Sequence, residues 1–508
     1  MSSLKTLTSN YKNMFKRILI NIHKVLGLLL CILFLMWFLS GFVMIYHGFP
    51  KFSSQDRLAM HQAIEGHLRG TNSLKVVLPD SAKISGLSLE MQSGRPVFLL
   101  RGKGLPAQIY ADSLTVTSSV NMQDIEQIVR RVNIAPILQI DTLYESDQWL
   151  MPRRLTPDKP VLKYYFGDSA KHQLYVSIHD GNVLQYTDRD QRFWAWLGAI
   201  PHWVYFTSLR QNHSLWMDFV IWTSGIGSLM CLLGLILGLR IFWRSKKQGF
   251  KVPYKKWWHK WHYISGMIFG LFALTFAFSG LMSMTSLPSW LIKKPKTDKT
   301  ELSNPKNTRR YKELDLSTYQ LDYRLLGQEF NDIKKIEWGS FHDSPLYKVY
   351  TDDKTWHIDA SDSLVVKPFV LTQELVRESL SAQIGDKISY KLDIINQEDE
   401  YYFARKKERL SFPVYRVILD DELNTRYYYS PKTLSIQRID DNTLLRRFLY
   451  NGLHSLSFKF LTDRPWLWNI AMFTLMIGGT FLSFTGVGLS LRWLLRKLKK
   501  YTNQRRNK

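Results

Sequence analysis

Four stretches of this chain each run for more than twenty residues without a charged side chain: Val25–Tyr46, Phe219–Leu239, Tyr263–Ile292 and Trp466–Leu491. At about 1.5 Å per residue, each is long enough as a helix to cross a hydrocarbon core of roughly 30 Å. A backbone that leaves water must satisfy its own hydrogen bonds, which restricts each stretch to helix. The first is too long for the apolar core of a cleavable signal peptide, and no small-residue cleavage site follows it. The sequence therefore predicts four transmembrane helices, one short loop, and two long polar segments at about 51–215 and 293–465.

The distribution of charge orients these helices. Met1–Lys24 carries five basic residues, Arg240–His262 eight and Arg492–Lys508 eight, with no Asp or Glu in any of the three. Most of the net charge of +25 thus sits beside membrane ends. The bilayer, and not nucleic acid, accounts for it. The positive-inside rule predicts that both termini and the middle loop are cytosolic, with the long segments on the other side. The expected layout is a cytosolic terminus at 1–17, a first span within 18–48 and an outer domain at 49–200. An interfacial segment with the second span follows at 201–243, then a cytosolic loop at 244–259. The third span (260–290), a second outer domain (291–450), an interfacial segment with the fourth span (451–495) and a cytosolic terminus (496–508) complete it. Only Cys31 and Cys231 occur, both within spans, so no disulfide framework, thiolate metal site or Cys-x-x-Cys-His haem attachment is available.

The chain matches itself at two offsets. At 239, His23, Gly27, Ser40 and Gly41 fall on His262, Gly266, Ser279 and Gly280; at 252, Asp188, His202, Gly234 and Arg240 fall on Asp440, His454, Gly486 and Arg492. The expected architecture is helix, outer domain, helix, repeated once. Period-2 alternation in RPVFLLRG, AQIYADSLTV and HQLYVSIHDGNVLQYT predicts strands in the first outer segment. SSQDRLAMHQAIEGHL and MQDIEQIVRRV are helix candidates there. PLYKVYTDDKTWHIDASDSLVVKP, TQELVRESLSAQI and PVYRVILDDELNTRYYYSPKTLSIQRID repeat the strand–helix–strand order in the second. Each segment is expected to hold two copies of a helix-plus-sheet unit, with KKPKTDKTELSNPKNTRR as a flexible lead-in.

Of thirteen histidines, His61, His67, His172, His179, His342 and His357 are spaced like ordinary surface residues of the outer segments. An ionisable residue in or beside a span is costly and usually has a task, and neutral imidazole is the commonest metal ligand. His23 and His262 begin the first and third spans at equivalent positions. His202 and His454 precede the second and fourth. Two facing imidazoles at each end describe two bis-histidine sites stacked across the bilayer. A mononuclear zinc site would want further Cys, His or carboxylate ligands, whereas two axial nitrogens suit haem iron. Gly27, Gly41, Gly234, Gly266, Gly280 and Gly486 would let a flat ring approach the backbone, and small residues equally permit plain helix packing. His47, His213 and His259 stand in reserve, since the 239 and 252 offsets put no histidine opposite them. A histidine at a membrane interface can also merely meet headgroups, as Trp257, Trp258 and Trp261 do in an aromatic belt.

HKVLG and WFLSGFVMIYHGFPKF in the first span, LGAIPHWVYFTSLR before the second, WHYISGMIFGLFALTFAFSGLMSM in the third and NGLHSLSF before the fourth resemble the PepSY-associated transmembrane family. That family includes bacterial inner-membrane ferric-siderophore reductases. The resemblance implies a multi-pass protein of the bacterial inner (cytoplasmic) membrane with PepSY-type α+β domains in the periplasm. For the reductase members it implies two b-type haems between the helices, with His23, His202, His262 and His454 in the recurring histidine motifs. The expected function is transmembrane electron transfer to a periplasmic ferric siderophore or other iron chelate. No Gly-rich dinucleotide fingerprint or flavin module is visible, so the donor is expected to be a separate protein or a quinol. A stretch near Trp203, Tyr205 and Phe206 is a candidate docking floor. The alternative is a non-enzymatic membrane protein whose PepSY domains bind peptides or restrain a peptidase. A transporter is weaker, because no Asp, Glu, Lys or Arg lies inside a span.

Overall fold

The computed structural model describes residues 2–79, 81–92, 94–106, 108–117, 120–150, 160–246, 252–293, 313–352, 354–384, 388–404 and 410–506. Four helices are long and apolar enough to cross a membrane: Ser2–Met44, His213–Lys246, Trp257–Met284 and Pro465–Arg506. They are spans 1 to 4 below. Span 3 stops at Met284, short of the expected Ile292. Its cap Thr285 turns extended, and Pro288, which cannot donate to a helix ladder, follows three residues on. Spans 1 and 3 each pack against both span 2 and span 4, which puts spans 1 and 3 on opposite corners of a four-helix bundle.

Among the described residues, three antiparallel sheets lie outside the bundle. Strands β5 (Ile137–Leu143), β6 (Val161–Phe166), β7 (Gln173–Ser177) and β8 (Val183–Thr187) pair in chain order. Strands β12 (Tyr390–Ile395), β13 (Val414–Leu419), β14 (Arg426–Tyr429) and β15 (Ile436–Ile439) do the same. Each of these sheets carries one of the expected helices. Met122–Val132 buries Ile125 and Val129 against Leu162, Tyr164 and Leu174, and Gln373–Ile384 buries Val376 and Leu380 against Val417 and Tyr427.

The third sheet crosses the expected partition of 49–200 from 291–450. Strands β1 (Lys83–Gln92), β2 (Arg95–Lys103), β3 (Gln108–Tyr110) and β4 (Val116–Thr117) come from the first segment. Strands β9 (Lys335–Phe341), β10 (Ser344–Tyr350) and β11 (Thr355–Asp359) come from the second. The seven run in the order β11-β10-β9-β1-β2-β3-β4, with Leu87 opposite Trp338 and Leu89 opposite Ile336. Leu89, Phe98, Tyr323, Trp338 and Tyr347 share one core. The exposed edge of β1 would be a pairing hazard, and β9 covers it. Two expected helix-plus-sheet units in each segment therefore become one complete unit per segment and one half of a common sheet.

The helix expected over SSQDRLAMHQAIEGHL is correct only for its first turns. Ser53 caps Ser54–Ala59 through a reciprocal bond with Asp56, and the chain then leaves the helix. The Ile64 amide instead donates to Ile333 O at 2.7 Å, Gly66 takes φ +97°, and Ile64 and Leu68 reach the core of the shared sheet. Tertiary burial here overrides local propensity. The polar stretch from 294 to 310 of the expected lead-in lies outside the described residues.

A half-buried carboxylate in the loop after the first strand braces each four-stranded sheet. Asp147 accepts from the Trp149 and Leu150 amides at 2.9 and 3.0 Å, from Lys163 Nζ at 2.8 Å and from the Tyr175 hydroxyl at 2.7 Å. Asp399, 252 residues on, accepts from the Tyr401 and Tyr402 amides, Arg416 and the Tyr428 hydroxyl in the same manner. Asp147→Ala strands Lys163, whose side chain is only 9% exposed. Because Asp147 itself is 22% exposed, the loss is expected at the low end of the usual range for a broken buried pair, about 3 kcal/mol. It is read as a lowered melting temperature of the detergent-solubilised chain.

Candidate functional site

The second face of sheet β5–β8 positions His202. Val161, Tyr175 and Leu184 pack against Phe49, Trp149, Ala199 and Ile200, which clamps the one-turn helix Ala199–His202 between the sheet and span 1. Two residues after His202, Val204 adopts φ +51°; two residues after His454, Leu456 adopts φ +50°. A β-branched valine in the left-handed region is strained, and such strain gathers where surroundings fix a geometry for use. Both turns are locked by indoles: Trp216 Nε1 donates to Trp203 O and Trp468 Nε1 donates to Ser455 O, each at 2.9 Å. His202 and His454 thereby fold back onto the sheet-side ends of spans 1 and 3, although both precede the apolar cores of their own spans.

The four predicted histidines form two pairs. The ring centroids of His23 and His262 lie 6.4 Å apart, and those of His202 and His454 lie 5.9 Å apart. In each ring Nδ1 is engaged by a neighbouring helix. His23 Nδ1 donates to Met230 O at 3.0 Å, since a carbonyl can only accept. His202 Nδ1 donates to Trp37 O at 3.1 Å and faces Ser40 Oγ at 3.2 Å. The Ser40 hydroxyl proton is already given to Met36 O at 2.6 Å, so Oγ accepts from the ring. His454 Nδ1 meets Ser279 Oγ at 3.1 Å, whose proton goes to Phe276 O. His262 Nδ1 meets Thr485 Oγ1 at 3.1 Å, whose proton goes to Leu482 O. The carbonyl acceptors fix His23 and His202 as the Nδ1–H tautomer, and the hydroxyl contacts of His262 and His454 accommodate the same one. In all four rings Nε2 is turned away from these partners. A metal-binding imidazole needs that arrangement.

Partners as well as ligands recur at the two offsets. Trp37 and Ser40 correspond to Phe276 and Ser279 at 239, and Met230 and Gly234 correspond to Leu482 and Gly486 at 252. None of the four histidines is fully buried as a residue. His23 and His262 line a cavity of about 1180 Å³ between the spans, which Gly27, Gly234, Gly266 and Gly486 also line. A Cβ added to Gly27 would meet nothing within 4 Å, whereas one added to Gly234 would stand 2.8 Å from His23 Cε1. Around the outer pair, Phe276 lies 6.1 Å from the His454 ring.

The remaining histidines are placed elsewhere. His47 lies just past span 1 and stacks on Trp194 at 4.3 Å, and His213 opens span 2 beside Trp216. His259 lines the cavity one turn before His262, and its Nδ1 is buried without a hydrogen-bond partner. His61 and His172 are less ordinary than their spacing implied: His61 approaches Glu90 at 3.7 Å, and His172 bonds Asp168 and stacks on Tyr186. Trp203 and Tyr205, offered as a docking floor, pack around Phe49, so their rings serve the turn that holds His202. The sequence patterns that pick out the histidines do not by themselves mark the bracing aspartates, Ser40, Ser279 or Thr485 as site residues. The offsets that matched the histidines also relate Asp147 to Asp399 and could have found that pair.

Among the described residues no three His, Cys, Asp or Glu side chains converge on one point. The arrangement is thus one pair of imidazoles at each end of a four-span membrane bundle, which carries three β-sheets among the described residues. The chain belongs to the PepSY-associated transmembrane family: the family's description, the PepSY-associated TM region, matches residues 105–496. His202, His262 and His454 fall inside that match, and His23 precedes it. No curated protein matched the chain.

Proposed function

We propose that this protein passes single electrons across the bacterial inner membrane through two b-type haems, one held by His23 and His262 and the other by His202 and His454. The observation that carries this reading is the pairing of four imidazoles, each with Nδ1 spent on a neighbouring helix and Nε2 left free. Their spacing supports a shared metal ion. With metal–nitrogen bonds of about 2 Å and roughly 1 Å from each nitrogen to its ring centre, two imidazoles on one ion have centroids about 6 Å apart. When bound, haem would supply a one-electron couple, and the two histidines of each pair are the residues that would hold it.

The chain's own residues supply the rest. The Met230 and Trp37 carbonyls fix the tautomers of His23 and His202, and Ser40, Ser279 and Thr485 orient the rings they meet. The small residues Gly27 and Gly266 leave room against spans 1 and 3. From His23 to Trp37, the span 1 contact of His202, is fourteen residues, or about 21 Å of helix, so the two pairs stand near opposite faces of the hydrocarbon core. The matched offsets in the histidines, their partners, the bracing aspartates and the left-handed turns support an internal duplication.

The basic ends of the spans support a cytosolic location for the His23–His262 end and a periplasmic one for the sheets. In this reading a cytosolic protein or a membrane quinol gives up an electron at the basic end. A ferric siderophore or similar chelate docked on the sheet side takes it up, becoming ferrous. Hard oxygen donors hold ferrous ion less tightly, which frees the metal. The direct test places a reductant inside proteoliposomes and a ferric chelate with a ferrous indicator outside. Haem-containing protein oriented with its sheets outward should produce ferrous iron outside. A preparation from haem-replete cells that shows no haem absorption ends the proposal.

A further inference from the structure

The cavity at the His23–His262 end has a one-sided electrostatic character that ring clamping alone does not require. Its depths are apolar, with Leu28, Leu235 and Met267. Its remaining lining includes Lys16, Lys24, Arg240, Arg244 and Arg496, and no Asp or Glu. The positive-inside rule explains cations at this end of the bundle but not which of them face the cavity. Lys246, Lys497, Lys499 and Lys500 stand on the same helix ends and are not among its lining residues.

Two of the lining arginines are placed alike. Arg244 lies ten residues beyond Gly234, which faces His23, and Arg496 lies ten residues beyond Gly486, which faces His262. Ten residues are about 15 Å of helix. In a helix the Cα–Cβ bond tilts toward the N-terminus, so both side chains lean back along spans 2 and 4 toward the histidines. His259, with its buried Nδ1 unpartnered, lies on the same cavity from span 3.

Resting on the haem reading above, we propose that Arg244 and Arg496, assisted by His259, form the binding site for the two carboxylate side chains of the inner haem. This fixes the ring with its acid edge toward the basic end of the bundle. Guanidinium is suited to the task because its planar fork meets a carboxylate with two parallel N–H bonds, which the lining lysines Lys16 and Lys24 cannot offer.

The test compares iron protoporphyrin IX with its dimethyl ester, which keeps the iron and the ring and removes both negative charges. Each is titrated spectroscopically into full-length protein prepared without haem. Only binding abolished by His23→Ala/His262→Ala is counted. The free acid should bind the wild-type chain at least about tenfold more tightly than the ester, as expected for charge-assisted hydrogen bonds. Arg244→Gln/Arg496→Gln should bring the two ligands to equal affinity, near that of the ester. Equal binding of acid and ester by the wild-type chain overturns the carboxylate site, and this comparison needs no variant to fold. Discrimination that survives in the double variant does the same. If neither porphyrin binds in a manner dependent on His23 and His262, the haem reading itself has failed.

Discussion

His262→Ala is expected, on the di-haem proposal, to lower the haem content from about two per chain to about one, and His454→Ala to leave the other one, because each variant removes one imidazole nitrogen from one pair only. The reduced α-band should fall by about half in either case, and His61→Ala should not change it. Independence of the two losses follows from the geometry. His262 is anchored by Thr485 of span 4, and His454 by Ser279 of span 3, at the other end of the bundle. No hydrogen-bonding partner is shared. If His262→Ala instead removed both chromophores with the fold intact, the pairs would not be separate sites. If it removed none, His259 or another reserve histidine would be the ligand. Pyridine haemochrome counts against protein concentration decide among these outcomes.

The spans were legible because membrane crossing imposes one length and one composition, and the histidine pairs because two offsets aligned them with the helices. What one sequence does not display is which elements meet. His202 lies eleven residues before span 2 begins, and its depth depends on the left-handed turn at Val204 and the indole bond from Trp216. Nothing in the local pattern of LGAIPHWVYFTSLR requires a valine at positive φ. The same limit explains the shared sheet. The alternation of β1 and β9 predicts strands, but their antiparallel pairing joins residues about 250 positions apart, and only the three-dimensional arrangement reveals it. Helix signals failed where burial competed, as in the stretch after Ala59. They held where an Asn cap and two buried apolar positions agreed, as at Met122–Val132.

Gly234→Val is expected to eliminate the inner site while leaving the outer one, whereas Gly486→Ala should keep both. The glycines are equivalent by sequence offset, yet the space around them is not. A Cβ on Gly234 would stand 2.8 Å from His23 Cε1, closer than carbon atoms approach without something moving. The imidazole has little freedom to retreat, because its Nδ1 is tied to Met230 O on the same helix that would carry the new side chain. A valine would therefore swing the ring off the line toward His262 and break the bond to Met230. A Cβ on Gly486 would meet His262 Cε1 at 3.6 Å, an ordinary contact. Loss of one of two ligands and of its orienting bond should leave a five-coordinate or empty inner site, so about half the low-spin haem signal should vanish in Gly234→Val. Electron paramagnetic resonance resolves the two low-spin populations and reports which one is lost. Retention of both signals in Gly234→Val would mean that His23 does not need the position it occupies against span 2, and that its bond to Met230 is incidental to binding.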